Sequence, residues 1–264
     1  SKSSFSKVGK RNKSILSNNS KIKILICTHD FTDSVHVNGK NFFSDFYLWI
    51  CYLGKLSNEK HDKYEFYIKN HPYFGNKYER YQKYTDKIVN QLIEKFPKIK
   101  KIPNDTSHHQ IISEGIDFVL TVYGSVAIEY AYLGIPVINA SKNNPHINYN
   151  FNINPKNLSE YKKVLYNLKN IKLKIKKNEI YECYFMKHFY YDENWLFDDY
   201  QGFLKKIGGY HNIHTGKFYD YWETNVNKNL RDKIYSRFDK FIKSNHKRLS
   251  IFDTEKEKEI LKYQ

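Results

Sequence analysis

Short, continuous apolar runs recur along this chain, each separated from the next by a turn and a segment of helical periodicity. Residues 22–28 (IKILICT) form a continuous β-branched run, as expected of a strand buried on both faces, 117–122 (DFVLTV) reads as a buried strand and 64–69 (YEFYIK) as a second strand. Between them, residues 42–56 place Phe42, Phe46, Trp49, Ile50 and Leu53 on one helical face that ends near Gly54. Residues 85–96 (TDKIVNQLIEKF) form an amphipathic helix, and 98–103 (KIKKIP) a third short strand. A short helix over 111–115 leads into the strand at 117–122. The turn Tyr123-Gly124-Ser125 follows, then a helix over 126–133 stopped by Gly134, then a strand from Pro136 to Asn139. Strands alternating with helices specify a parallel sheet joined by right-handed crossovers. The expected fold is α/β, a Rossmann-like parallel sheet flanked by helices over residues 21–170, with a mostly helical extension over 171–264.

Residues 1–20 are rich in Ser, Lys and Asn without apolar periodicity, and read as a linker or unpacked lead-in. They lack the apolar core of a signal peptide. An opening of this kind without Met is expected of a chain cut from a longer protein. No run approaches the roughly 18 to 20 apolar residues that span a bilayer. Cys27, Cys51 and Cys183 have no CxxC spacing, so reduced thiols and a cytoplasmic location are expected. The net charge of +16 suits polyanionic partners, but Lys interleaved with Asn, Tyr and Ile fits an AT-rich genome equally well.

The most informative constellation is Thr121 to Glu129 followed by Gly134-Ile-Pro-Val-Ile, a strand running through a tight glycine turn into a helix. Such a junction directs backbone N–H groups and a positive helix end toward one point, where phosphate can sit. Gly124 would let the backbone approach a ligand, Ser125 would add a hydroxyl, and Glu129 would reach ribose hydroxyls. The alternative makes Ser125 an N-cap and Glu129 a partner of the helix dipole. Lys69-Asn70-His71-Pro72 closes the second strand, at the edge where open α/β sheets gather ligands. Lys69 and His71 there suit a diphosphate, and His71 is also a candidate proton donor. The loop after the first strand, Thr28 to His36, adds His29 and Asp30 as acid–base candidates. It reads alternatively as a capped loop in which Asp33 or Ser34 starts the next helix.

Lys-x-His-Pro, Gly-Ser-x-Ala-x-Glu and Gly-x-Pro-Val-Ile together resemble the C-terminal, donor-binding half of GT-B glycosyltransferases that build bacterial capsular polysaccharide. Similar patterns occur in Kdo transferases, some sialyltransferases and CDP-glycerol glycerophosphotransferases. The resemblance covers roughly residues 22–165. It implies a metal-independent transferase that takes a sugar from a nucleotide-sugar donor and passes it to a glycan or lipid-linked acceptor. His71 and Ser125 would then contact donor phosphate, Glu129 the ribose, and Asn104, Asp105 and Thr106 the base. Cytidine donors are favoured through these relatives, and no further cofactor is implied. A complete enzyme of this type has a second Rossmann-like domain, which usually supplies the base that activates the acceptor. The donor-binding half would therefore be inactive alone.

The nearest rival is transfer of an alcohol phosphate from a CDP-linked donor. A non-catalytic scaffold module is a second. Nucleic-acid binding is not expected, since no RNP-like or helix-turn-helix signature is present. Adjacent His108 and His109 would point about 100° apart on a helix, and His211-x-x-His214 lies in glycine-flanked, loop-like sequence, so no metal site is expected. The aromatic and acidic segment at 189–204 reads as a half-buried helix or a sugar contact. The basic stretch Lys228 to Lys247 reads as a solvated helix face or as a peripheral contact with the anionic inner membrane.

Overall fold

The computed structural model describes residues 13–33, 35, 40–71, 79–188 and 199–243. The chain divides into two compact units, Ser1–Cys183 and Tyr184–Gln264. The first is built on a five-stranded sheet of β1 (Ile22–Cys27), β2 (Tyr64–Lys69), β3 (Ile99–Lys101), β4 (Phe118–Thr121) and β5 (Val137–Asn139). All its pairings are parallel, in the order β3-β2-β1-β4-β5. This is the expected α/β, Rossmann-like fold.

Helices cover both faces because side chains along a strand alternate in direction. Ile24, Ile26, Phe66, Ile68 and Leu120 pack with α1 (Phe46–Glu59), α2 (Glu79–Lys95) and α5 (Leu158–Tyr166). Leu25, Cys27, Tyr67, Val119 and Val137 pack on the other side, with α3 (His108–Ser113) and α4 (Val126–Tyr132). Both residue sets are apolar, so the strands show no alternation in sequence. Gly134, at φ 84°, ends α4 as expected, in a left-handed conformation that disfavours any side chain.

Several boundaries differ from the sequence expectation. α1 begins at Phe46, where the Asp45 side chain accepts from Leu48 N at 2.6 Å. Asp33 instead sits in a turn, its N–H donating to the Asp30 carbonyl at 3.1 Å, and Ser34 lies outside the described residues. Gly54 does not end α1 but lies within it, because a Cβ there would come within 2.3 Å of the Phe96 ring. Gly54→Ala is therefore expected to cost about 1–3 kcal/mol, read as a lower urea midpoint at unchanged slope. α3 starts three residues early, capped by Ser107 Oγ accepting from Gln110 N at 3.1 Å.

The lead-in also differs. Leu16 is buried, and the N–H groups of Ile15 and Leu16 donate to the Glu114 carboxylate at 2.8 and 2.7 Å. Ser17 N donates to Tyr67 Oη at 2.8 Å. A carboxylate almost a hundred residues away thus organises a stretch that has no periodicity of its own.

A helix α6 (Lys177–His188) carries the chain out of the first unit. The second unit contains α7 (Tyr200–Ile207), a 3₁₀ turn Tyr210–His214, α8 (Gly216–Asn225) and α9 (Lys228–Lys243), around a core of Phe203 and Ile207. Most of the aromatic and acidic segment, 189–198, and the end of the basic stretch, 244–247, lie outside the described residues. No helix among the described residues is long and apolar enough to cross a membrane.

Candidate functional site

Strand order reverses between β1 and β4. The chain leaves β1 for β2 and β3 on one side, then returns to β4 and β5 on the other. Loops leaving two neighbouring strands in opposite directions open a crevice at their carboxyl ends, where open α/β sheets take ligands. Here the segments at that position are Thr28–Asp33 after β1 and Val122–Ser125 after β4. The β1 loop then reaches the far edge of the sheet, where Asn41 bridges Ser141 and Phe42 N donates to the Ala140 carbonyl at 3.2 Å.

His29 ties the two walls together. Its Nε2 accepts from the N–H groups of Val122 at 3.2 Å and Tyr123 at 3.4 Å, so that nitrogen carries no proton. Thr121 Oγ1 lies 3.1 Å from the same nitrogen and accepts from Gly124 N at 3.2 Å. The proton of neutral His29 therefore rides on Nδ1. The ring stacks on Phe46 at 4.7 Å and meets Tyr123 at 4.5 Å. Burial, then the charge of His71, pushes its pKa down to about 3. A neutral ring with its basic nitrogen occupied positions the β4 turn, rather than serving the acid–base role expected of it. Asp30 is similarly engaged, its Oδ1 accepting from Thr32 N at 2.8 Å and Thr32 Oγ1 at 2.6 Å.

The glycine turn also departs from expectation. The N–H groups of Val122, Tyr123 and Gly124 are satisfied inside the protein. Gly124 is required by packing, since a Cβ would lie 2.8 Å from Thr121 Oγ1. Ser125 occupies the N-cap position of α4 with helical backbone angles, makes no side-chain cap bond and is exposed. Glu129 lies in the first turn of α4, half-buried, and its charge acts on Cys27 and Tyr130.

Lys69 and His71 come from β2, beside β1. Lys69 is 4% exposed, and its ammonium donates to the Asn104 carbonyl at 3.1 Å. In register, Lys69 faces Cys27, whose thiol burial raises to about 12 and renders inert. His71 is exposed, anchored by its N–H donating to Thr28 Oγ1 at 2.8 Å. Desolvation by the surrounding protein lowers the His71 pKa, against the opposing pull of Asp30 and Asp33. Pro72 lies outside the described residues.

Of the predicted base-contacting loop, Asn104 turns its amide to Asp86 at 3.3 Å, where Asn70 at 2.5 Å and Lys101 at 3.1 Å also converge. Asp105 is exposed. Thr106 is buried, and among the described residues its Oγ1 has no hydrogen-bond partner. Asn70 Oδ1 and Asn139 Oδ1, at the same carboxyl edge, are likewise buried without a partner there. Orphaned buried oxygens cost about 1–3 kcal/mol each unless a water or ligand meets them.

Sequence reasoning named Lys69, His71, Gly124 and Ser125, and the fold brings them to one edge. The hydrogen bonds of Thr28 to His71 N and of Thr121 to Gly124 N, and the buried pair His108–Tyr130, whose Nδ1 and Oη lie 2.7 Å apart, come only with the fold. Hydrogen bonds between distant segments leave no local pattern to read. Among the described residues no group of three or more His, Cys, Asp and Glu side chains could hold a metal ion. His211 and His214 each lie against the Tyr210 ring, at 6.3 and 6.2 Å. No protein-family model matches the chain, and no curated protein matches it as a relative.

Proposed function

We propose that the first unit binds a nucleotide-activated donor in the β1–β4 crevice and serves as the donor half of a sugar transferase acting on a surface or capsular glycan. The observation that carries this reading is the reversal of strand order, with Lys69, His71, Gly124 and Ser125 at the carboxyl ends around it. The Lys69 ammonium supplies fixed positive charge behind the edge. His71 and the Ser125 hydroxyl are exposed and suited to meet phosphate oxygens. Electrostatic stabilisation of a departing nucleotide phosphate by these groups would take the part a metal plays elsewhere. Glu129, Asp105 and Thr106 remain candidates for the nucleoside. The transferred group rests on the motif resemblance alone, so transfer of an alcohol phosphate is the competing reaction at the same crevice.

Calorimetric titration and thermal shift against CMP, CDP, UDP, GDP and ADP test the nucleotide step. One nucleotide at about 100 times its Kd should stabilise the first unit by about 2.7 kcal/mol, raising its Tm by roughly 5–10 °C. His71→Ala and Ser125→Ala, both at exposed positions, should each weaken that binding about tenfold while leaving the fold intact. Failure of every nucleotide to bind the folded protein would refute this reading. With a bound donor, product analysis separates a glycosidic bond from a phosphodiester.

A further inference from the structure

The helix α9 carries an exposed apolar stripe. Tyr235, Phe238 and Ile242 are 68%, 40% and 76% exposed. Spaced i, i+3 and i+7, they fall within about 60° of one another around the helix. Leu230, Ile234 and Phe241 are half-buried and lie roughly 90° further round, so α9 buries part of a different apolar set and leaves this one outside. Single exposed apolar residues are ordinary, but three in line on one helix face mark a surface that meets something apolar.

The same helix is cationic. Over Lys228–Lys243, Lys and Arg outnumber Asp six to two, whichever local pairs form. Lys228 and Arg231, both exposed, continue the line of the stripe at its N-terminal end. Asp232 and Asp239 stand together on one flank, where Lys243 Nζ lies 2.7 Å from Asp239. A helix is about 10–12 Å across with its side chains, close to the Debye length of about 8 Å at physiological salt, so a flat anionic surface would sense most of these charges.

A folded protein partner normally takes about 800 Å² from each side, and three partly exposed side chains on one convex helix fall well short of that. A second copy of this chain would set one cationic helix against another. Nucleic acid would meet Lys228 and Arg231, but Ile242, the most exposed residue of the stripe, has no ring to stack on a base. A bilayer needs no matching surface. Aliphatic and phenyl groups enter its acyl boundary, tyrosine stays at headgroup level, and basic side chains meet anionic headgroups.

We propose that α9 is a docking surface for an anionic phospholipid membrane. Phe238 and Ile242 enter the acyl boundary, Tyr235 rests among the headgroups, and Lys228 and Arg231 meet lipid phosphate. None of these residues belongs to the first unit, so the surface stands or falls apart from the nucleotide reading.

The test is flotation of the full chain with vesicles of phosphatidylcholine alone, or of equal parts phosphatidylglycerol and phosphatidylcholine. Binding to the mixed vesicles should be about tenfold tighter or more, and should weaken as salt is raised. Phe238→Ser with Ile242→Ser, at exposed positions, should weaken it about tenfold or more at unchanged circular dichroism. Lys228→Gln with Arg231→Gln should weaken it about fivefold or more on the mixed vesicles. The three native cysteines are buried, so a polarity-sensitive dye can be attached through Ile242→Cys. Its emission should shift to the blue on the mixed vesicles, while the same dye on Asn229→Cys, exposed on another side of α9, should not respond. Absence of binding to the mixed vesicles, undiminished binding in the serine double variant, or a silent dye at position 242 would each overturn the assignment. A dimer lost in the serine variant, with vesicle binding intact, would assign the stripe to a second copy of the chain instead. A His71→Ala control should bind vesicles as the unaltered chain does.

Discussion

As pH falls from about 7 to about 5, the first unit is expected to lose stability by up to about 1.4 kcal/mol per pH unit for each of two histidines. His29 and His108 are both buried, and burial pushes each pKa from 6.5 down to about 3. Below pH 6.5 the unfolded chain takes up protons on both imidazoles while the folded chain does not. Stability is therefore fully present above 6.5 and is lost as pH falls toward the folded values. Glu65 and Glu114 act in the same direction lower down. Burial would raise both carboxyls. Hydrogen bonds from Lys100 and Tyr67 hold Glu65 below 4.5, and the Leu16 N–H, Gln110 and the Ile15 N–H hold Glu114 there. Urea denaturation at about pH 7 and about pH 5 measures the loss. His29→Phe should remove about half of the acid slope, since a phenyl ring can keep the stack on Phe46 but cannot titrate. The same substitution strands the N–H groups of Val122 and Tyr123, costing about 1–3 kcal/mol at neutral pH. An acid slope unchanged in this variant would mean that His29 is protonated in the folded protein.

Trp49→Ala is expected to be the most damaging single substitution in the α1 face, at about 3–5 kcal/mol. Trp49 is 1% exposed, and its Nε1 donates to Tyr161 Oη at 2.9 Å. Tyr161 is itself fully buried in α5, among the rings of Phe42, Phe43 and Tyr52. This pair fastens α5 to α1 over the sheet, and so supports the loop that arrives from β1 through Phe42. Tyr161→Phe isolates the polar part of the interaction. It keeps nearly all the apolar contact and leaves one indole N–H without an acceptor, so about 1–3 kcal/mol should be lost. Equal losses in the two variants would show that packing contributes little there. A urea series followed by hydrogen exchange in α5 gives both numbers.

The tie of residues 14–16 to Glu114 matters for the same reason. Sequence reading saw only a polar lead-in, because nothing in Ser14-Ile15-Leu16 repeats at a structural period. Its order depends on a carboxylate in the turn after α3 and on Leu16 finding a place in the α3/α4 core. Gly54 shows the opposite case. A glycine near the end of an apolar helical run suggests a C-terminal stop, yet the packing of Phe96 against α1 requires it inside the helix.

What depends on neighbours along the chain is legible in its order of residues. Continuous β-branched runs required strands covered on both faces, helical periodicity between them required crossovers, and the two together required a parallel α/β sheet. The same local reading put Lys69, His71, Gly124 and Ser125 at strand ends. Strand order came from long-range packing, and with it the neighbouring of β1 and β4 that brings the carboxyl ends of these strands side by side. Tertiary structure alone made His29 a neutral acceptor for a turn 93 and 94 residues away and buried the Lys69 ammonium. Periodicity and turn chemistry are local properties of the backbone. Protonation and burial are set by whatever the fold brings within hydrogen-bond reach, and that becomes defined only once the sheet has closed.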